Sequence, residues 1–434
     1  MTTQDQTSVQ SSRRKFLAHS AAGVALAGAA FSAPKVLGAA KPRVVIIGGG
    51  IGGATVARYV AKDSKGAVDV TLVEPTRTYY TCFFSNLYLG GFVDFSSLGH
   101  GYATLASDYG VNVIHDFAVG VDRGARTVTL ANGASLGYDK LVLSPGIDFV
   151  EGSVPGWDLS KQGVMPHAYK GATQAQLLKS QIAAMPQGGV YCMVAPPNPF
   201  RCPPGPYERI CMVAHYLKQH NPRAKIIIAD PKPKFSKQAL FEEGWGDNYS
   251  GMIDRIDSEV GGGDVQVRPD RMEVVIGGEV TKVDVCNVIP AQRAGTIARV
   301  AGVTDSSGWA PVEPTGMRSR KDANVHVLGD ASAQGDMPKS GFSANSQAKV
   351  CANAVTAELT DSRKFPAKFS NTCWSLVSPD NGIKVGASYA AKDDKISKTS
   401  GFVSKTGESA ALRKKTYQES LGWYAGITSD TFGS

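Results

Sequence analysis

The sequence predicts an α/β protein of two domains, each a parallel sheet covered by helices, followed by a C-terminal segment of different composition. Three observations carry that prediction. The apolar strand Arg43-Val44-Val45-Ile46-Ile47 runs straight into Gly48-Gly49-Gly50-Ile51-Gly52-Gly53, and a helical pattern covers 54–61. The same order of strand, loop and helix returns at 188–218 with a loop of quite different make. Late in the chain a third strand, Asn324 to Leu328, ends in Gly329-Asp330 and is followed by a helical run over 343–357.

In the first unit Gly48, Gly50 and Gly53 have the G-x-G-x-x-G spacing, which supplies a tight turn, close approach to a pyrophosphate and close packing of helix on strand. The next strand, Asp69 to Val73, ends in Glu74, 21 residues beyond Gly53. A carboxylate there accepts hydrogen bonds from an adenosine ribose, so these elements in this order describe a Rossmann-like dinucleotide-binding domain. The strand-end pair Gly329 and Asp330, with Lys339, Ser340 and Gly341 ahead of the late helix, points to FAD rather than NAD. That helix directs its positive end at the flavin ring and favours a reduced, anionic flavin. Tyr138 to Gly146 reads as the strand and turn that cross between domains, with Pro145 and Gly146 at the cofactor.

The second unit lacks the glycines. Between the strand Gly188 to Ala195 and a helix from about 206 to 218, the loop carries Pro196, Pro197, Pro199, Pro203, Pro204 and Pro206. Proline supplies no backbone N–H and cannot cradle phosphate. A cysteine, Cys202, and a carboxylate, Glu208, stand where a second nucleotide would bind.

Seven cysteines are present: Cys82, Cys192, Cys202, Cys211, Cys286, Cys351 and Cys373. No C-x-x-C or C-x-x-C-H occurs, which excludes zinc ribbons, thioredoxin-like motifs and haem c attachment by this chain. The seven histidines show no metal-ligand spacing, so no metal is expected. Cys192, Cys211, Cys286 and Cys351 lie in apolar strand or helix patterns and read as core residues. Cys82, eight residues beyond Glu74, has no local partner. A core residue, a redox thiol and a covalent tether to the flavin all remain open for it.

At the N-terminus, Ser12-Arg13-Arg14-Lys15-Phe16-Leu17 precedes an Ala/Gly-rich stretch, the pattern of a twin-arginine export signal cleaved near Ala40. Folded export to the periplasm suits a chain that takes up its cofactor in the cytoplasm, and an oxidising compartment permits disulfides. Removing residues 1–40 takes away four basic residues and one acidic one, lowering the formal charge from +8 to +5. With no dense Lys/Arg block, nucleic acid is not an expected partner, and no integral membrane segment is expected in the mature chain.

Taken together, YYTCFFSN, APPNPFRCPPGPYE, NVIPAQRAG, MPKSGFSANSQ, NTCWS and WYAGITSDTFG resemble the flavoprotein subunit of flavocytochrome c sulfide dehydrogenase, from the first strand to the C-terminus. The resemblance implies FAD held by a thioether at Cys82 and a redox disulfide between Cys202 and Cys373; by position alone Cys211, nine residues on, competes with Cys202 for that pairing. It further implies Glu208 as the base, Trp423 near the electron route, and a separate cytochrome c subunit that carries the haem. The bland alternative for Glu208 is a favourable charge at a helix start.

The expected layout is an export signal at 1–40, a discontinuous FAD domain at 41–150 and 290–360, and a second dinucleotide-binding-like domain at 151–289. An irregular, aromatic segment at 361–434 is expected to meet the partner. The expected activity is sulfide oxidation to persulfide, polysulfide or sulfur. Hydrosulfide attacks the disulfide, Glu208 takes protons, and the electrons pass through the flavin to the cytochrome. Two rival readings are a sulfide:quinone oxidoreductase and a flavin electron-transfer subunit without sulfide turnover. Lys392, Asp393, Asp394 and Lys395 make 388–434 polar, which argues against the quinone-linked rival.

Overall fold

A computed structural model describes residues 40–433; the expected export signal lies outside the described residues up to its last position. The first sheet is built on five parallel strands in the order Val325–Val327, Lys140–Leu143, Arg43–Ile47, Asp69–Val73 and Asn112–Ile114. Three short strands, Ser332–Ala333, Ala310–Glu313 and Arg318–Ser319, extend one edge. Arg43–Ile47 is central and almost wholly buried, as a strand covered on both faces must be. Helices Ile51–Ser64 and Gly341–Thr360 pack against each other beside this sheet.

The glycine turn is sterically obligatory. Gly48 has φ +101°, and a Cβ there would sit 2.4 Å from the Ser144 carbonyl oxygen. A Cβ on Gly53 would lie 1.9 Å from the Gly48 carbonyl oxygen, so the helix can start this close to the strand only without a side chain.

The second sheet has four parallel strands in the order Ile253–Ile256, Lys225–Ala229, Val190–Val194 and Val285–Val288. Its helix Gly205–His220 begins one residue before the expected start, with Pro206 in the first turn where a missing N–H costs nothing. The proline loop is packed from within. The Asn198–Pro199 peptide is cis, Phe200 is buried, and Lys232 Nζ donates to the Pro196 carbonyl at 2.6 Å.

Asp230 closes the strand Lys225–Ala229 as Glu74 closes Asp69–Val73 in the first sheet. Here the acid is fully buried and taken up by the protein's own groups: Lys232 Nζ at 2.7 Å, Arg255 Nε at 2.9 Å and Tyr207 Oη at 2.7 Å. In the second sheet the loop after Val190–Val194 is rich in proline, and the strand-end carboxylate is bonded to internal cations.

The C-terminal segment corrects one expectation. It is not irregular: strands Lys368–Ser378, Asn381–Lys392 and Lys395–Val403 form an antiparallel meander, and Ala410–Phe432 is a 23-residue helix. The strand pattern is hard to read because Lys368–Ser378 alternates only at its start and is continuously buried over Ser375 to Ser378. It packs on helices Gly205–His220 and Gly341–Thr360 and so joins both sheets.

Replacing Asp230 with Ala leaves buried Lys232 with no carboxylate partner and Arg255 with Asp257 alone. It should destabilise the protein by about 3–5 kcal/mol, read as a lowered urea midpoint.

Candidate functional site

A cavity of about 630 Å³ opens among the glycine turn, the Gly329-Asp330 strand end, the proline loop and the strand Lys368–Ser378. Gly48, Gly50, Glu74, Cys82, Pro145, Gly146, Cys202, Glu208, Gly329, Asp330, Ser340, Gly341, Cys373 and Trp423 all line it. Two expected cofactor contacts do not. Gly53 packs helix on strand behind the wall. Lys339 turns away: its Nζ donates to the Asp330 and Ser332 carbonyls at 2.8 and 2.7 Å and stands 3.7 Å over the Trp309 ring. Buried there and drawn down to a pKa of about 8 by desolvation, Lys339 braces the Gly-Asp turn instead of reaching a ligand.

The lining fits a flavin dinucleotide. Glu74 Oε2 accepts the Gly49 N–H at 2.8 Å and Oε1 is held by Thr76 at 2.6 Å, which fixes the carboxylate at the cavity. Asp330 places Oδ2 3.7 Å from Arg201, while its buried Oδ1 has no hydrogen-bond partner. Buried polar atoms are normally paired, so this oxygen marks where a ligand hydroxyl belongs. Burial pushes its carboxyl pKa up. Above the cavity, Trp423 sits 5.2 Å from Phe83 and 5.2 Å from Trp374, and lies parallel to Phe342 at 6.1 Å. Of this aromatic wall the sequence singled out Trp423 alone.

Cys202 and Cys373 share this cavity as free thiols; the bond expected between them is not formed in the structure. Cys202 has φ +60°, a left-handed conformation that costs a non-glycine residue about 1–3 kcal/mol and is held only by its surroundings. The holding contacts are short. Its N–H donates to the Lys339 carbonyl at 2.7 Å, its carbonyl accepts the Gly205 N–H at 2.7 Å, and a Cβ on Gly205 would lie 2.8 Å from its Sγ. Burial and the nearby Cys373 and Glu208 raise its thiol pKa. Cys211, the competitor for Cys202, is instead fully buried, with its Sγ accepting from Trp245 Nε1 at 3.3 Å. Cys192, Cys286 and Cys351 are fully buried as well. Cys82 is partly exposed on the cavity wall, which sets aside the core reading.

Glu208 lies in the first turn of helix Gly205–His220, as the helix-dipole alternative requires, and it is also bonded from outside that helix. Its Oε2 accepts from Asn86 Nδ2 at 2.9 Å and its Oε1 from the Leu376 N–H at 2.9 Å, while burial raises its pKa. Arg209, also buried, donates to Asn86 Oδ1 at 3.1 Å, Asn287 Oδ1 at 2.8 Å and the Ala168 carbonyl at 2.7 Å. The carboxylate is therefore rigid and desolvated beside the two thiols.

Sequence reasoning missed Lys237. Its buried Nζ donates to Ser375 Oγ at 2.8 Å and to the Cys373 carbonyl at 3.1 Å. Desolvation draws its pKa down to about 8, with Cys373, Glu208 and Cys202 pulling the other way. A cation here favours thiolate over thiol at either cysteine. No motif flags it, because a lone lysine 136 residues from Cys373 gains its meaning only from the fold.

Three family descriptions match: pyridine nucleotide-disulphide oxidoreductase over 42–184, sulfide dehydrogenase (flavocytochrome c) flavoprotein chain, central, over 175–290, and flavocytochrome c sulphide dehydrogenase, flavin-binding, over 366–432. A sulfide dehydrogenase (flavocytochrome c) flavoprotein chain from Chlorobaculum thiosulfatiphilum is 52% identical over 44 residues, covering 10% of this chain and 90% of that one. The mitochondrial sulfide:quinone oxidoreductase of Dictyostelium discoideum is 24% identical over 305 residues, covering 67% of this chain. The chain spans 65% of the length of that relative. The fold is shared with the sulfide:quinone oxidoreductase of Aquifex aeolicus, at TM-score 0.68 and 18% identity, covering 91% and 93% of the two chains.

Lys237→Met should raise both thiol pKa values and slow iodoacetamide alkylation of Cys202 and Cys373 in the reduced protein below pH 8 by about tenfold, the effect of one pKa unit. Peptide mapping of the alkylated cysteines measures it, and the contrast with wild type should shrink above pH 8, where Lys237 itself is neutral.

Proposed function

The chain belongs to the family of flavocytochrome c sulfide dehydrogenase flavoprotein chains, and from that premise we propose that it oxidises sulfide at Cys202 and Cys373 and passes the electrons through FAD to a c-type cytochrome subunit. The observation that carries this reading is the meeting of two cysteines and a desolvated carboxylate on the wall of one flavin-sized cavity, with the buried Lys237 ammonium bonded to the Cys373 carbonyl behind that wall. A flavin bound there supplies an acceptor that takes electrons in a pair and releases them singly. Gly48, Gly50, Glu74, Pro145, Gly146, Gly329 and Asp330 would hold it, and Cys82 would tether it covalently.

The residues divide the work by their chemistry. In the oxidised enzyme Cys202 and Cys373 form a disulfide. Hydrosulfide attacks one sulfur, breaking that bond and making a new S–S bond, so that one cysteine holds a persulfide and the other leaves as a thiolate. Lys237 steadies the leaving thiolate with its charge. Glu208, whose pKa is raised by burial, lies nearer neutrality than an exposed carboxylate and takes the proton. Asn86 and the Leu376 N–H hold that carboxylate in one orientation. Trp423 and its neighbours form the aromatic wall past which electrons leave for the cytochrome.

The twin arginines support export in folded form and a periplasmic site of action. A quinone as acceptor is the second reading, favoured by the similarity to sulfide:quinone oxidoreductases.

Cys202→Ser and Cys373→Ser should each abolish bleaching of the flavin by sulfide while leaving bleaching by dithionite intact. Sulfide bleaching that survives both substitutions would sink the disulfide mechanism. Wild-type protein should reduce added cytochrome c in preference to a soluble quinone, and after acid precipitation the flavin should stay on the peptide that contains Cys82.

A further inference from the structure

A second, smaller cavity of about 130 Å³ reaches Cys373, and nothing in the mechanism above uses it. Pro203 and Pro204 of the proline loop, Ser236, and the meander residues Ala387, Tyr389 and Lys398 are among its walls. Cys373 is the one residue that lines both this cavity and the large one. Cys202 lines the large cavity only. Cys373 is therefore shared by two spaces of different character, and its Sγ lies 3.4 Å from Nδ2 of Asn371, a residue that lines the small one.

The small space is built for a small anion. At about 130 Å³ it is close to the cavity of about 150 Å³ that takes a single benzene, too small for a three-ring flavin. Asn371, buried in its wall, directs Nδ2 to within 3.4 Å of Cys373 Sγ. That amide is locked in place, since its Oδ1 accepts from Ser340 Oγ at 2.5 Å and Ser343 Oγ at 3.2 Å. Lys398 lies in the wall with an exposed side chain; its backbone N–H donates to Asp336 Oδ2 at 3.0 Å, and Asp336 also meets Lys395 Nζ at 3.2 Å. Lys398 is the one charged residue among those that line this cavity.

We propose that this small cavity is the port through which hydrosulfide enters and meets Cys373, apart from the cavity that takes the flavin. The proposal rests on the sulfide-oxidising reading and adds to it the identity of the attacked sulfur. Hydrosulfide comes in past Lys398 and attacks Cys373 Sγ of the oxidised pair. The bond between Cys373 and Cys202 breaks, a bond forms between Cys373 and the incoming sulfur, and Cys202 leaves as a thiolate in the large cavity. The proton stays on the outer sulfur of the persulfide through the attack and passes to Glu208 only afterwards, and no electron leaves the chain in this step. Asn371 donates to the sulfur that is under attack. Substrate and flavin thus never compete for one opening.

The test is to narrow the port without touching the flavin. Ala387 pairs directly with Asn371 across the meander, so Ala387→Leu projects into the space beside it, and Ser236→Phe fills it from the other wall. Flavin bleaching is followed anaerobically in stopped flow, with sulfide and separately with dithionite. Both variants should show at least about a tenfold fall in the second-order rate constant for sulfide, a cost of about 1.4 kcal/mol in the barrier, with dithionite bleaching unchanged. Lys398→Glu, on an exposed position that a folded protein tolerates, should slow sulfide several-fold at low ionic strength and recover in high salt. Plugged variants and Lys398→Glu that bleach with sulfide at the wild-type rate would overturn the port alone. A wild-type protein that sulfide does not bleach would overturn the sulfide-oxidising reading and the port with it.

Discussion

Glu208 is bonded to three parts of the chain that sequence keeps far apart: the helix that follows the proline loop, on which it resides, Asn86 in the segment after Cys82, and the Leu376 N–H three residues after Cys373. A carboxylate removed from water is costly unless its lone pairs are satisfied. Satisfying them fixes the relative position of Cys82, Cys202 and Cys373, because each lies within a few residues of an atom bonded to this one group. The cavity is a consequence of that constraint, since its walls are the segments that Glu208 gathers. Arg209 repeats the principle beside it, a buried guanidinium whose donors are spent on Asn86, Asn287 and backbone carbonyls.

The two sheets show what happens to one architecture when a ligand is kept and when it is given up. In the first, an unpaired oxygen and a backbone stripped of Cβ atoms leave work for a cofactor to do. In the second, every equivalent need is met internally. Lys232 and Arg255 neutralise Asp230, Lys232 also bonds the Pro196 carbonyl, and Phe200 fills space behind the loop. The freed loop carries Cys202. That loop is the platform on which Cys202 stands in the left-handed region of backbone space.

What sequence could tell followed the range of the physics. The glycine turn, Glu74 and Gly329-Asp330 were legible because a tight turn and a strand-end acid are local demands on the backbone. The disabled loop was legible because proline lacks an N–H wherever it stands. Lys339 was expected at the cofactor; it lies in the right loop, and what sequence could not tell is that its side chain turns toward two carbonyls. Lys237 carried no signal, and Asn86, Asn371 and Trp374 entered only as parts of the segments that carry the resemblance, since their roles arise from neighbours 100 or more residues distant or from the meander whose alternation is lost where it is buried on both sides. The pairing of Cys202 with Cys373 came from resemblance; the fold adds that Cys211, nine residues along, faces the core.

The left-handed backbone of Cys202 has a bearing on how such a chain ages under mutation. Glycine at that position would relieve the conformational penalty, and asparagine would lessen it. In a lineage released from selection for the chemistry, the substitutions that remove this sulfur are therefore among those that make the fold more stable. The reactive residue is held against the grain of protein stability, and its persistence in a sequence measures continued use more sharply than the retention of any core residue can.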